Sequence, residues 1–247
     1  MVTFRYAPDV LARYPSVVGG VFLTHELVNG SSSPELRAAF EAEQLATLAR
    51  IGDTPLSQLP SLAAWRGAFR EFGVDPTQYR SAAEALLRRL TKKGDIPSIS
   101  ALVDIGNLVS IRYGRPVALF DTRAIAGGMT VRFADGTERY MTLGDAEVEH
   151  PALGEVIFAD EANQVHARRW CFRQSDQSAV RDDTTEALVT VEAHHERGRA
   201  DVEAAVTDLR ELLARYAGMT DEPVLLDGAH GEFASVARPG GHARQGR

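Results

Sequence analysis

Hydrophobic spacing along the chain changes period near its middle. Val17, Val18, Val21, Phe22 and Leu23, around Gly19-Gly20, form a β-branched run that predicts a buried strand. Asn29–Pro34 is a turn cluster that also starts a helix, with Ser33 at the N-cap, Pro34 at N1 and Glu35 in the first turn. Leu36, Phe40, Leu45 and Leu48 carry that helix to about Arg50. Ile51–Pro60 reads as a loop. Ser61 is placed as the cap of a second helix through Trp65, Phe69 and Phe72, stopped by Gly73. Ser81–Leu90 is a third helix, with Arg88 and Arg89 near its C-terminus where cations suit the dipole. A fourth spans Ile99 to Ile111 at helical spacing and ends at Gly114.

The second half is strand-like. Pro116–Phe120, Met129–Ala134, Glu138–Leu143, Glu155–Ala159, Gln164–Trp170 and Leu188–Glu192 are short apolar or alternating runs. Asp135-Gly136 predicts a hairpin between two of them. Ala200–Tyr216 is an amphipathic helix with Val202, Val206, Leu209, Leu212 and Leu213 on one face. The expected class is α+β. One compact domain covers residues 1–217, with a helical N-terminal half, a strand-rich C-terminal half and a late amphipathic helix. Residues 218–247 are expected to be an irregular tail, with Gly/Arg-rich Ala237–Arg247 disordered.

Charge narrows the partners. With 27 Lys+Arg against 34 Asp+Glu, the 247-residue chain carries a net charge of -7. This argues against a surface covered in nonspecific nucleic-acid contacts but leaves room for a local basic patch. Trp65, Arg66, Arg70, Tyr79, Arg80, Arg88 and Arg89, with Lys92 and Lys93, interleave cations and aromatics over two helices. They read equally as a docking surface for nucleic-acid phosphates or as ordinary solvated helix faces. The single cysteine, Cys171, excludes an intramolecular disulfide and a cysteine-built metal site, and is expected to be buried. No apolar run reaches the ~20 residues of a membrane span. The opening MVTFRYAPDVLARYP lacks a secretion-signal pattern, so a soluble cytoplasmic protein is expected. His194-His195 with Glu192 and Glu196 has no convincing third ligand and reads as a solvated strand end. No cofactor is expected.

Residues 97–132, PSISALVDIGNLVSIRYGRPVALFDTRAIAGGMTVR, resemble the B3/B4 domain of the phenylalanyl-tRNA synthetase β subunit. Ser98, Ile99, Val103, Asp104, Asn107, Gly114, Pro116, Phe120, Asp121, Ile125, Gly127, Gly128, Val131 and Arg132 carry the match in order. The flanking segments look like freestanding members of the family, over roughly residues 14 to 195. The resemblance implies an α+β fold of unusual topology and metal-free hydrolysis of a wrongly attached amino acid from tRNA. It implies no aminoacylation by this chain. The family's Thr-Asn pair is Gly106-Asn107 here. Its His and Glu, associated with the tyrosine hydroxyl, fall at Ala118 and Thr190, and its Gly-Gly loop is replaced by the Phe172–Asp176 region.

These readings define the candidate site. Asn107, Gln174, Ser175 and Asp176 are expected to position the water and the ester, with Asn107 chosen through the resemblance. Arg173, Trp170, Ala118 and Thr190 are placed on the substrate side, although Trp170 by itself reads as core. Arg168 and Arg169 read as solvated pairs. Asp104 is expected to fix local structure, with Arg112 or Arg132 as partner, and Asp121 to be a structural hydrogen-bonder. Expected partners are tRNA or aminoacyl-tRNA. The alternatives are a non-catalytic module for tRNA or an amino-acid-like small ligand, and an enzyme acting on another small metabolite.

Overall fold

A computed structural model describes residues 2–145 and 147–235. In chain order the elements are β1 (Thr3–Tyr6), α1 (Pro8–Arg13), β2 (Val18–His25), α2 (Pro34–Ile51), α3 (Pro60–Glu71), α4 (Ala82–Lys93), α5 (Ala101–Tyr113), β3 (Val117–Asp121), β4 (Gly128–Phe133), β5 (Tyr140–Met141) and β6 (Val148–Glu149). There follow β7 (Val156–Asp160), β8 (Val165–Arg168), β9 (Arg173–Gln174), β10 (Glu186–Ala193), α6 (Gly198–Tyr216), β11 (Met219–Thr220), β12 (Val224–Leu226) and β13 (Glu232–Ala234). The expected α+β class holds.

Two sheets organise the molecule. One runs β13-β1-β4-β7-β8-β9; the other runs β11-β2-β10-β3, with β12 also on β2. Period two divides the residues of the second sheet between two cores. Phe22, Leu119, Val189 and Val191 pack with α2, α4, α5 and α6. Val21, Leu23, Phe120 and Leu188 face the first sheet, and meet Phe4, Phe158, Trp65 and Trp170 there. Gly19 and Gly20 serve these two sides. A Cβ on Gly19 would strike the Tyr6 hydroxyl, and one on Gly20 would strike Val206 and Val202 of α6.

Helix ends follow their local chemistry. Ser33 Oγ accepts from the Leu36 N–H at 3.2 Å, and Ser81 Oγ accepts from Glu84 at 3.3 Å. Gly94 and Gly114 end α4 and α5 with φ of 83° and 63°. Ser61 does not cap α3, because Pro60 already opens the helix and Leu59 is the cap position. Asp135-Gly136 does turn the chain, through the bond from Thr137 N–H to Asp135 Oδ1. It does not join a hairpin: β4 lies between β1 and β7, while β5 pairs with β6. Residues 219–235 are not irregular; β11 and β12 extend the second sheet and β13 the first. Their brevity kept any period from showing. Ala237–Arg247 lies outside the described residues.

Candidate functional site

A cavity of ≈ 80 Å³ lies where β3 and β10 of the second sheet face the Trp170–Gln174 segment. Ala118 and Thr190 are register partners on neighbouring strands, so both project towards it. Phe120, Phe158, Ala167 and Trp170 supply apolar wall, with Arg173 and Gln174 also lining it. Five of the sequence-chosen residues, Ala118, Thr190, Trp170, Arg173 and Gln174, thus share one cavity.

Glu192 completes the lining, and sequence reasoning missed it. It stands two residues beyond Thr190 and therefore on the same strand face. A carboxylate two residues beyond Thr190, on a strand whose opposite face is wholly apolar, was the available signal. Its Oε1 accepts from the Tyr6 hydroxyl at 2.7 Å and from Trp170 Nε1 at 3.1 Å, while Oε2 accepts no hydrogen bond among the described residues. Burial raises its pKa to about 7, against the pull of those two donors. Burial, and then the nearby Glu192, raise the Tyr6 and Cys171 pKa values well above normal, so Cys171 stays a thiol.

Trp170 is fully buried and holds an unusual backbone. Arg169 and Trp170 are consecutive left-handed residues, with φ of 44° and 57°. Such backbone costs a non-glycine residue energy and marks a site worth explaining. Arg169 N–H donates to Glu155 at 2.8 Å, and its guanidinium lies 3.9 Å from the Tyr79 ring centre. Arg168 is buried rather than solvated, forked onto Glu155 by two 3.1 Å bonds. The indole meets Tyr14, Trp65 and His194 edge-on, at centroid distances of 5.0, 5.4 and 4.5 Å. His194 is therefore core, not a solvated strand end, and burial lowers its pKa to about 3.

Three expected site residues lie elsewhere. Asn107 is half-buried on α5, which packs on the Leu119 side of β3, opposite Ala118. Ser175 is fully buried and donates to Met141 O at 3.2 Å. Asp176 pairs with Arg181 at 2.8 Å and accepts from the Gly144 N–H at 3.0 Å. None of the three lines the cavity. Gln174 does, but its amide donates to Leu119 O and Ser178 O at 2.8 and 2.9 Å, tying β3 to the loop. Asp104 is structural as expected, but through other partners: Ser32 Oγ, Ser98 Oγ and the Ile99 N–H. Asp121 accepts from Arg123 and from Thr184.

The basic patch is divided. Arg66 donates to buried Glu84 at 2.6 Å, and Arg80 lies 3.8 Å from the same carboxylate. Arg89 pairs with Asp95 at 3.8 Å. Arg70 and Arg88 are exposed and make no side-chain bond among the described residues. Arg66, Arg80, Arg88 and Lys92 line one open groove. Arg66→Ala is expected to cost about 2 kcal/mol in urea denaturation, because it leaves buried Glu84 with only the longer contact to Arg80. Arg88→Ala is expected to stay within about 0.5 kcal/mol of the parent. Equal losses in both would contradict the division.

The B3/4 domain family matches residues 64–218, and the chain belongs to that family. The phenylalanine–tRNA ligase β subunit of Nocardia farcinica is 33% identical over 196 residues, covering 70% of this chain and 22% of that subunit. The corresponding subunit of Chromobacterium violaceum is 37% identical over 78 residues, 32% of this chain and 10% of that subunit. A crystal structure of an N-terminal fragment of the β subunit from Pyrococcus horikoshii aligns with a TM-score of 0.48 at 12% identity, over 91% of this chain and 54% of that one. The chain thus spans about a fifth of the length of the first of these relatives. Among the described residues, no helix is long and apolar enough to cross a membrane, and no group of three or more His, Cys, Asp or Glu is placed to hold a metal ion.

Proposed function

We propose that this protein binds tRNA and acts in trans, in the cytoplasm, as an editing factor that hydrolyses the ester of a mischarged aminoacyl-tRNA. The observation that carries the reading is Glu192 in the cavity wall, a carboxylate with one oxygen held and the other unbonded among the described residues. Family membership supplies the connection to tRNA.

An aminoacyl ester is already activated, so its hydrolysis needs a positioned water and a place for the proton. In the proposed step, Glu192 Oε2 takes a proton from water as the oxygen attacks the ester carbonyl. The tetrahedral intermediate then collapses, and the leaving ribose oxygen recovers that proton. The products are the free amino acid and tRNA with its terminal hydroxyl restored. A pKa of about 7 suits both halves of this exchange near neutral pH. Arg173, exposed at the rim with its guanidinium 5.2 Å from the Phe172 ring centre, is assigned to the terminal phosphate or carbonyl. The small cavity and the Ala118–Thr190 pair favour an amino acid with a short side chain.

Gln174→Ala is expected to lower deacylation about tenfold by loosening β3 from the loop, with circular dichroism unchanged. An unchanged rate would remove Gln174 from the site. A second reading, a non-catalytic module for tRNA or an amino-acid-like ligand, is favoured by the distance of Asn107, Ser175 and Asp176 from the cavity. It predicts saturable binding with no ester hydrolysis.

A further inference from the structure

A second pocket, of ≈ 290 Å³, opens on the helical side of the second sheet. Arg50, Arg112, Arg115, Arg197 and His195 line it, and among the described residues Asp201 is the only carboxylate in the lining. Arg112 is held by Glu43 and Asp208. Even with both of these counted, four guanidiniums face three carboxylates. Arg197 is exposed and makes no side-chain bond among the described residues.

The floor of the pocket is built rather than incidental. The Arg115 side chain is 4% exposed, so it is a cation taken out of water. Its Nη2 meets Asp201 and lies 2.7 Å from His195 Nε2. Arg115 Nε and His195 Nδ1 are both buried without a hydrogen-bond partner. A buried guanidinium with an unspent N–H is costly unless something accepts from it. Pro60 and Ser61, the first residues of α3, also line the pocket, and no side chain caps that helix. Its first free N–H groups and its dipole favour an anion at the same place. Ile51, Leu59, Leu87 and Ile111 supply an apolar wall beside the charged end.

From these features together we infer a phosphate-binding site for a small phosphorylated metabolite, with the phosphate between Arg115, Arg197 and the start of α3 and the ligand's body against the apolar wall. The site lies apart from the Glu192 cavity, shares none of its lining and does not depend on the function proposed for it. Forked guanidinium donors suit a tetrahedral oxyanion, and the volume lies at the lower end for small-ligand pockets.

Isothermal titration of the full chain with inorganic phosphate and with adenosine 5′-monophosphate tests the assignment. Saturable binding of at least one is expected, tighter for the monophosphate where the apolar wall contributes. Arg197→Glu is expected to weaken it at least about tenfold. Ser61→Asp, which sets a carboxylate at the α3 end, is expected to do the same. Arg197 is exposed and makes no ion pair among the described residues, so Arg197→Glu is expected to keep the parent melting temperature; Ser61 is buried, so the melting temperature of Ser61→Asp is measured beside its binding. Two results would overturn the site: neither ligand binding at millimolar concentration, or binding unmoved by both substitutions.

Discussion

Trp170→Ala is expected to lower stability by about 3–5 kcal/mol in urea denaturation, the usual range for emptying a fully buried large site. Trp170→Gly is expected to lose about 1 kcal/mol less than alanine. This reverses the usual order of the two residues. At φ 57° an alanine keeps the left-handed penalty of about 1–2 kcal/mol, whereas glycine escapes it. Glycine returns part of that gain through its greater freedom in the unfolded chain. Both variants also remove the Nε1–H donor from Glu192. Alanine equal to or better than glycine would show that the left-handed backbone is not being held against a cost. Either variant should also enlarge the cavity wall at the place where the indole now fills it.

Glu192→Gln is expected to gain stability relative to the parent as pH rises, by about 3 kcal/mol between pH 4.5 and 7. The unfolded chain ionises this carboxyl near its usual 4.5, and the folded chain only near 7. Between those values the unfolded state has released a proton that the native state still holds. The parent's stabilisation from the neutral group is therefore complete below pH 4.5 and lost as pH rises to 7. Glutamine keeps the acceptor for Tyr6 and Trp170 but does not ionise. His194 works in the opposite direction. Neutral in the fold down to pH about 3, it loses stabilisation as pH falls below the usual 6.5. The two slopes oppose each other between pH 4.5 and 6.5, so the parent's own profile is flattened there and the variant unmasks the His194 slope. A variant-minus-parent difference that stays constant from pH 4.5 to 7 would contradict the assignment. In the same variant deacylation is expected to fall about 10²–10⁴-fold, because an amide cannot accept the proton. More stability with less activity is the signature of a functional group buried at a cost.

Much of the fold was legible in the sequence. Ser33-Pro34-Glu35 and Gly114 mark helix ends by local chemistry alone, and the structure keeps them. The β11–β13 strands were not legible, since two or three residues show no period and gain their order only by pairing with β2 and β1. The hairpin at Asp135-Gly136 failed for a related reason: the turn is local, but which strands pair is a tertiary outcome. At the site, the resemblance led to Ala118 and Thr190, and strand register put them side by side. It also led to Asn107, whose helix lies on the other face of β3. The Arg169-Trp170 backbone left no trace in composition. Glu192 was visible, but reading it with His194-His195 as a solvated strand end hid its place two residues from Thr190.

The most direct test of the central claim is deacylation of tRNAs charged with Tyr, Ser, Thr and Ala, correctly and incorrectly, by the parent protein and by Glu192→Gln at pH 7.5. Selective hydrolysis of one mischarged ester with a short side chain, abolished in the folded variant, is the predicted result. No hydrolysis of any ester by folded parent protein, or equal rates in parent and variant, would contradict the account.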